Sequence, residues 1–150
     1  MGQSITAVSV RITRIDEDLP LPTCASSGAV AFDLYARIHT VVKPDELGLI
    51  PVNVIIAIPE GYVLIVALRS GTPRKKKLLS PHGVGIIDRD YCGPNDEIQV
   101  QVLNFGDEPA VIERGERIAQ ALLIATRDCI WDERPVLDRE ESRGGFGSTG

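Results

Sequence analysis

Polar and apolar positions in this chain alternate mostly with a period of two. Residues 4–12 put Val8, Val10 and Ile12 on one side and Ser9 and Arg11 on the other. This predicts a half-buried strand, because successive side chains of an extended chain point to opposite faces. Pro20 and Pro22 interrupt any regular element, and the strand pattern resumes over 29–36. Residues 52–58 and 62–68 are nearly continuous apolar runs, bounded by Pro51, by Pro59-Glu60-Gly61 and by Ser70-Gly71-Thr72-Pro73. Runs of this length between turn residues fit buried strands better than helices. Residues 98–102 alternate cleanly, a turn follows at Asn104-Phe105-Gly106-Asp107, and a short strand fits 110–113. Residues 118–125 fit both periods, since Ile118, Ala121, Leu122 and Ala125 also have helical spacing. Their short length and the preceding Gly115 decide for a strand. Many short strands, with no internal repeat and no linker, predict an all-β fold, a sandwich or jelly roll formed by a single domain over 1–150.

Composition narrows the class of function. The 150 residues carry a net charge of −5, which argues against a protein built to coat nucleic acid. Cys24, Cys92 and Cys129 are odd in number, far apart and never in a C-x-x-C pair. Neither a disulfide framework nor a zinc knuckle is expected, and a reducing, cytoplasmic setting is. No apolar stretch is long enough to cross a bilayer: the best one, 47–58, is broken by Gly48, Pro51 and Asn53. No basic region followed by an apolar one marks a secretory signal. Met1-Gly2-Gln3-Ser4-Ile5-Thr6 matches the myristoylation pattern, but it runs into a strand-like alternation and is read as a chance match.

Common catalytic templates are missing. With only His39 and His82 there is no H-E-x-x-H helix, and neither the nucleophile elbow G-x-S-x-G nor a Walker or dinucleotide loop occurs. Three segments remain. Arg69-Ser70-Gly71-Thr72 ends a strand with a guanidinium, two hydroxyls and a glycine, a set suited to phosphate oxygens, although a plain turn has the same composition. Gly85-Ile86-Ile87-Asp88-Arg89-Asp90-Tyr91-Cys92-Gly93 brings two carboxylates near an aromatic at a hairpin. If the segment is extended, Asp88 and Asp90 share a face, and one raises the pKa of the other to favour a water-activating base. The tail Arg143-Gly144-Gly145-Phe146-Gly147-Ser148-Thr149-Gly150 combines glycine amides, two hydroxyls and an arginine with one large apolar residue. That composition suits a triphosphate and a base, and equally a solvating end. The basic run Arg74-Lys75-Lys76-Lys77 is read as a solvated loop.

Taken together and in order, these segments resemble the trimeric dUTP diphosphatases (dUTPases). Ala31-Phe32-Asp33-Leu34-Tyr35-Ala36 is similar to the first family motif, A-G-[YLF]-D-L-x-A, and Arg69-Ser70-Gly71 to the second. Residues 85–93 are similar to the third, G-[VTI]-I-D-x-D-Y-x-G. Gly115-Glu116-Arg117-Ile118-Ala119-Gln120 resembles the fourth motif, and 144–150 the fifth. The resemblance implies a jelly-roll-like β-sandwich subunit of a homotrimer with shared active sites, residues 141–150 forming a mobile closing arm. It implies an enzyme of nucleotide metabolism that hydrolyses dUTP to dUMP and pyrophosphate with Mg2+, binding neither nucleic acid nor membrane. Carried over by position, Asp88 activates the water that attacks the α-phosphorus, while Arg69, Ser70 and Gln120 hold phosphates. Asp33 touches the magnesium shell through water. Gly71, His82, Gly85 and Ile87 join the substrate site, Gly85 reading the uracil edge through its backbone. Tyr91 lies under the deoxyribose and leaves no room for a 2′-hydroxyl. Phe146 stacks on uracil, and Arg143, Gly147, Ser148 and Thr149 serve the phosphates.

Four departures from the family pattern stand out. Leu68 replaces the proline that often precedes the motif-two arginine, and His82 replaces an asparagine common in bacterial members. Pro94-Asn95-Asp96 look like an insertion in the motif-three hairpin, and Glu141 stands at the usual tail arginine position, with Arg143 two residues nearer Phe146. Two rival readings stay open. One is a dCTP deaminase-like or bifunctional enzyme, against which Gln101 stands where a catalytic glutamate is needed before Asn104. The other is a non-catalytic nucleotide-binding trimer.

Overall fold

The computed structural model describes residues 7–135. Their elements, in chain order, are β1 (Arg11–Arg14), β2 (Phe32–Tyr35), β3 (Thr40–Val42), β4 (Leu47–Pro51), β5 (Val54–Ala57) and β6 (Tyr62–Leu68). They continue with α1 (Thr72–Lys76), β7 (Leu78–Leu79), β8 (Gly85–Ile87), β9 (Gln99–Asn104), β10 (Ala110–Ile112) and β11 (Arg117–Ala125). The strands form antiparallel sheets in the orders β1-β5, β10-β3, β2-β11-β6-β8 and β4-β9-β7. The all-β expectation holds, and residues 118–125 are strand rather than helix.

The four-stranded sheet explains the nearly unbroken apolar run over 62–68. Leu64, Val66 and Leu68 of β6 face Leu123, Ala121 and Ala119 of β11 on the core side. Val63, Ile65 and Ala67 face Ile124, Leu122 and Gln120 on the opposite side, where Ile86 of β8 lies beside Ile65. Both faces are apolar, so the period-two signal vanishes from these two strands. Ile86 is 63% exposed and Ile124 40% exposed, so a band of the outer face is left uncovered by the described residues.

Several local expectations change. Residues 7–10 are not strand, and Val8 is exposed. Ladder pairing begins at Arg11, opposite Ala57. Only Phe32–Tyr35 of the segment 29–36 pairs regularly. Within 47–58, Asn53 adopts the left-handed conformation (φ 70°) between β4 and β5, one that asparagine tolerates better than most residues. The basic run read as a solvated loop forms α1, with Pro73 in the first turn and Lys77 left-handed at its end. Lys76 Nζ is tied down, 2.9 Å from Glu116 Oε2 and donating to the Val111 carbonyl at 2.6 Å.

Asp16 gathers donors from remote and neighbouring residues. Arg114 donates to Asp16 Oδ2 through Nη2 (2.6 Å) and Nε (3.1 Å), and the Asp18 N–H donates to Oδ1 at 3.0 Å. These bonds, the Arg114 one foremost, hold the Asp16 carboxyl below its ordinary range. A carboxylate favoured in the fold stabilises it above the unfolded pKa and loses that contribution as pH falls through the folded value. Unfolding midpoints in urea are therefore expected to decline more steeply below about pH 4 in the parent than in Asp16→Asn. Equal acid slopes would refute the assignment.

Candidate functional site

Asp33 on β2 stands opposite Gln120 on β11, which stands opposite Ala67 on β6, so Asp33 and Gln120 share the outer face. The Asp33 carboxylate is buried: Oδ1 lies 2.9 Å from Arg69 Nε, and Oδ2 accepts from Arg117 Nη1 at 3.2 Å. Two guanidiniums against one carboxylate leave a net positive charge, the arrangement that grips phosphate. A register shift between Arg117 and Ala119 marks a bulge at Ile118. The Ile118 carbonyl accepts from the Arg69 N–H at 3.4 Å and from Thr72 Oγ1 at 3.2 Å. The Thr72 N–H closes the turn onto the Arg69 carbonyl at 2.9 Å. The bulge thus clamps the Arg69-Ser70-Gly71 turn to β11 beside Asp33. Ser70 is exposed and Gly71 half-buried.

The motif-three residues gather elsewhere. Asp88 follows β8, whose Ile87 stands opposite Leu64, so it leaves the sheet near the start of β6. The extended geometry that would align Asp88 with Asp90 does not form: the Tyr91 N–H turns back onto the Asp88 carbonyl at 3.3 Å. Both carboxylates still line one open cleft of about 840 Å³, with Glu60, Tyr62, Arg89 and Thr126 among its other walls. Tyr91 is exposed, and its hydroxyl donates to the Glu97 carbonyl at 3.1 Å. The apparent insertion 94–96 is a closed turn, in which Asp96 Oδ2 accepts from the Gly93 N–H at 2.7 Å and the Asp96 N–H donates to the Gly93 carbonyl at 3.1 Å.

His82, Gly85 and Ile87 line a narrow second cleft together with Ser80, Gln99 and Gln101. His82 Nδ1 lies 2.9 Å from Ser80 Oγ. Arg143, Phe146, Gly147, Ser148 and Thr149 lie outside the described residues, as do the 141–150 segment and the 1–6 pattern.

The described candidates therefore lie in three places: Asp33, Arg69 and Gln120 together, the Asp88 cleft, and the His82–Gly85 cleft, which Ala67 and Leu68 next to Arg69 also line. From Val63, beside Asp88, to Arg69 is six residues of extended chain, about 20 Å. Two further residues, Arg117 and Glu97, hold Asp33 and Tyr91 in place. Arg117 lies within the fourth motif, three residues before Gln120. Glu97 gave no local signal, because its partners Arg37 and Asn53 are remote in the chain. Among the described residues, no group of three or more His, Cys, Asp or Glu side chains is placed to hold a metal ion, and no helix is long and apolar enough to cross a membrane.

Comparison with known proteins gives a consistent picture. The dUTPase family model matches residues 17–150. The chain is 43% identical over 148 residues to the deoxyuridine 5′-triphosphate nucleotidohydrolase of Dictyoglomus turgidum, covering 95% of this chain and 99% of that protein. It is 37% identical over 150 residues to the nucleotidohydrolase of the same name from Wolbachia pipientis wMel, covering 95% and 96%. Among solved structures, the dUTPase from Streptococcus mutans superposes with a TM-score of 0.74 at 31% identity, covering 80% of this chain and 98% of that one. The Staphylococcus bacteriophage 80alpha dUTPase with dUPNHPP gives 0.83 at 22% identity, covering 96% and 99%, a likeness of fold.

Proposed function

Since this chain belongs to the dUTPase family and is a dUTP diphosphatase, we propose that three copies assemble so that each active site combines groups from different subunits. Arg69, Ser70, Gln120 and Asp33 come from one copy and Asp88, Gly85, Ile87, His82 and Tyr91 from another. The reading as a non-catalytic module is set aside by that membership. The observation that carries the shared site is the separation of Asp88 from Arg69 along the sheet. In-line attack needs the water oxygen about 3–3.5 Å from phosphorus. A phosphate gripped at Arg69 therefore cannot be attacked by a water held at Asp88 of the same chain. The apolar band of Ile65, Leu122, Ile124 and Ile86 lies on the same outer face, and a second copy laid on it removes that surface from water. Antiparallel sheets wrapped around one core support a jelly-roll-like subunit.

In this site Asp88 accepts a proton from water as its oxygen bonds to the α-phosphorus. The bond from that phosphorus to the bridging oxygen breaks, and pyrophosphate leaves with the electron pair. Arg69 and Gln120 stabilise charge on the α and β phosphates, with Ser70 as a further donor and Gly71 allowing the close turn. Arg117 adds positive charge through Asp33. Tyr91 packs beneath the deoxyribose, and Gly85 presents its backbone to uracil. The 141–150 arm closes over the nucleotide, with Phe146 on the base and Arg143, Gly147, Ser148 and Thr149 toward the phosphates.

Asp33 fits one magnesium arrangement. Each of its oxygens faces one arginine and keeps a lone pair. That suits a triphosphate-borne ion that keeps its water shell, rather than a protein cage. When bound, the ion neutralises charge on the phosphates. Deamination is disfavoured by Gln101, which is among the residues lining the His82–Gly85 cleft and whose carboxamide cannot serve as a carboxylate base. The free thiols of Cys24, Cys92 and Cys129 support a cytoplasmic setting.

Mixing inactive subunits tests the shared site. Asp88→Asn and Arg69→Ala each remove one half, and random mixed trimers made from equal amounts hold roughly a quarter of wild-type sites. Recovery of dUMP formation toward that level is expected. Activity no higher than the average of the two parents would refute sharing.

A further inference from the structure

The Tyr91 hydroxyl does not point into open solvent: it donates to the main-chain carbonyl of Glu97 at 3.1 Å, bridging the base of the 92–96 turn. That carbonyl is unusually well fixed. The Glu97 side chain is buried, with Oε1 accepting from Arg37 Nε and from the Asn53 N–H, and Oε2 accepting from Arg37 Nη2, each at 2.8 Å. The adjoining Ile98 is held on both edges, its carbonyl accepting from the Val52 N–H at 3.0 Å and its N–H donating to the Val54 carbonyl at 2.9 Å. The turn itself is self-closed by Asp96 on the Gly93 N–H. A Cβ at Gly93 would lie 3.0 Å from Asp96 Oδ2, so glycine lets the turn fold this tightly.

Resting on the reading of Tyr91 as the sugar platform, we infer that the buried Arg37–Glu97 pair and the Glu97 carbonyl fix the Tyr91 ring. Arg37 and Glu97 are thereby positioning residues for rejection of the 2′-hydroxyl, although neither is assigned a contact with the nucleotide. The physical reason is steric. A ring excludes a hydroxyl only if it cannot retreat, and an exposed tyrosine without a tether swings at little cost. The turn formed by Pro94-Asn95-Asp96 brings the acceptor within reach of the hydroxyl. The segment that looked like an insertion in sequence therefore serves substrate selection.

The experiment compares kcat/KM for dUTP and for UTP in Tyr91→Phe, Tyr91→Ala, Glu97→Gln and the Tyr91→Phe/Glu97→Gln double variant. Measurements are made at a temperature where circular dichroism shows all of them folded. Tyr91→Phe keeps the ring and removes only the tether, so the dUTP preference is expected to fall about five- to tenfold, through faster use of UTP. Glu97→Gln shifts the preference the same way, and the double variant goes no further than Tyr91→Phe alone, because both act on one tether. An unchanged preference in Tyr91→Phe beside a reduced one in Tyr91→Ala would overturn the tether while leaving the sugar platform intact. An unchanged preference in Tyr91→Ala as well would remove the platform itself. Loss in Tyr91→Phe but not in Glu97→Gln would overturn the role of the buried pair.

Discussion

Asp88→Asn is expected to lower kcat for dUTP by about 10²–10⁴-fold, the range that a general base contributes. KM should stay within a few-fold of the parent. The carboxamide matches the carboxylate in size, so the turn made by the Asp88 carbonyl and the Tyr91 N–H persists. What is lost is the group that takes the proton as water attacks. Asp88 leaves the sheet after Ile87, its position set by the β6–β8 register rather than by the turn beyond it. Steady-state kinetics with product analysis, alongside thermal unfolding of the same preparation, checks this. Near-normal turnover from a folded protein would sink the assignment.

Glu97→Ala is expected to cost about 2–4 kcal/mol of stability, the largest loss foreseen for a single side chain outside the apolar core. The substitution removes both Arg37 bonds and leaves the Asn53 N–H, in a residue only 1% exposed, without its acceptor. The Arg37 side chain is 29% exposed and recovers part of its loss from water, which keeps the figure below that of a fully buried pair. For a chain of this length the midpoint of thermal unfolding should fall by about 10 °C. Glu97→Gln should lose less, because its amide oxygen still accepts from Asn53. Calorimetry on the three proteins orders them. A Glu97→Ala midpoint equal to the parent's would mean that the three bonds add nothing net.

Much of the fold was legible in the pattern of residues. Tyr62–Leu68 is strand over the range expected, and the elements at Gln99–Asn104, Ala110–Ile112 and Arg117–Ala125 lie within a few residues of their expected bounds. These segments combine β-branched or alternating residues with turn chemistry at both ends, so local preference and tertiary packing agree. Thr40–Val42, Leu78–Leu79 and α1 escaped notice because elements of two to five residues carry too little periodicity to stand above background. The basic run misled for a related reason. Charge density describes a surface without saying whether the backbone beneath it is helical, and Pro73 followed by Arg74, Lys75 and Lys76 is compatible with both.

The sequence by itself determined the β class, the order of the motifs and the identity of the polar groups, because side-chain chemistry and turn residues act locally. Only the tertiary structure decided which face of β6 and β11 is core, since both faces are apolar and periodicity carries no phase there. It alone joined Asp33 to Arg117 across 84 residues and Arg37 to Glu97 across 60. It also set Arg69 apart from Asp88 along one sheet. Such pairings follow from strand register and chain closure, and these are settled by what every other strand buries rather than by the residues that come to touch.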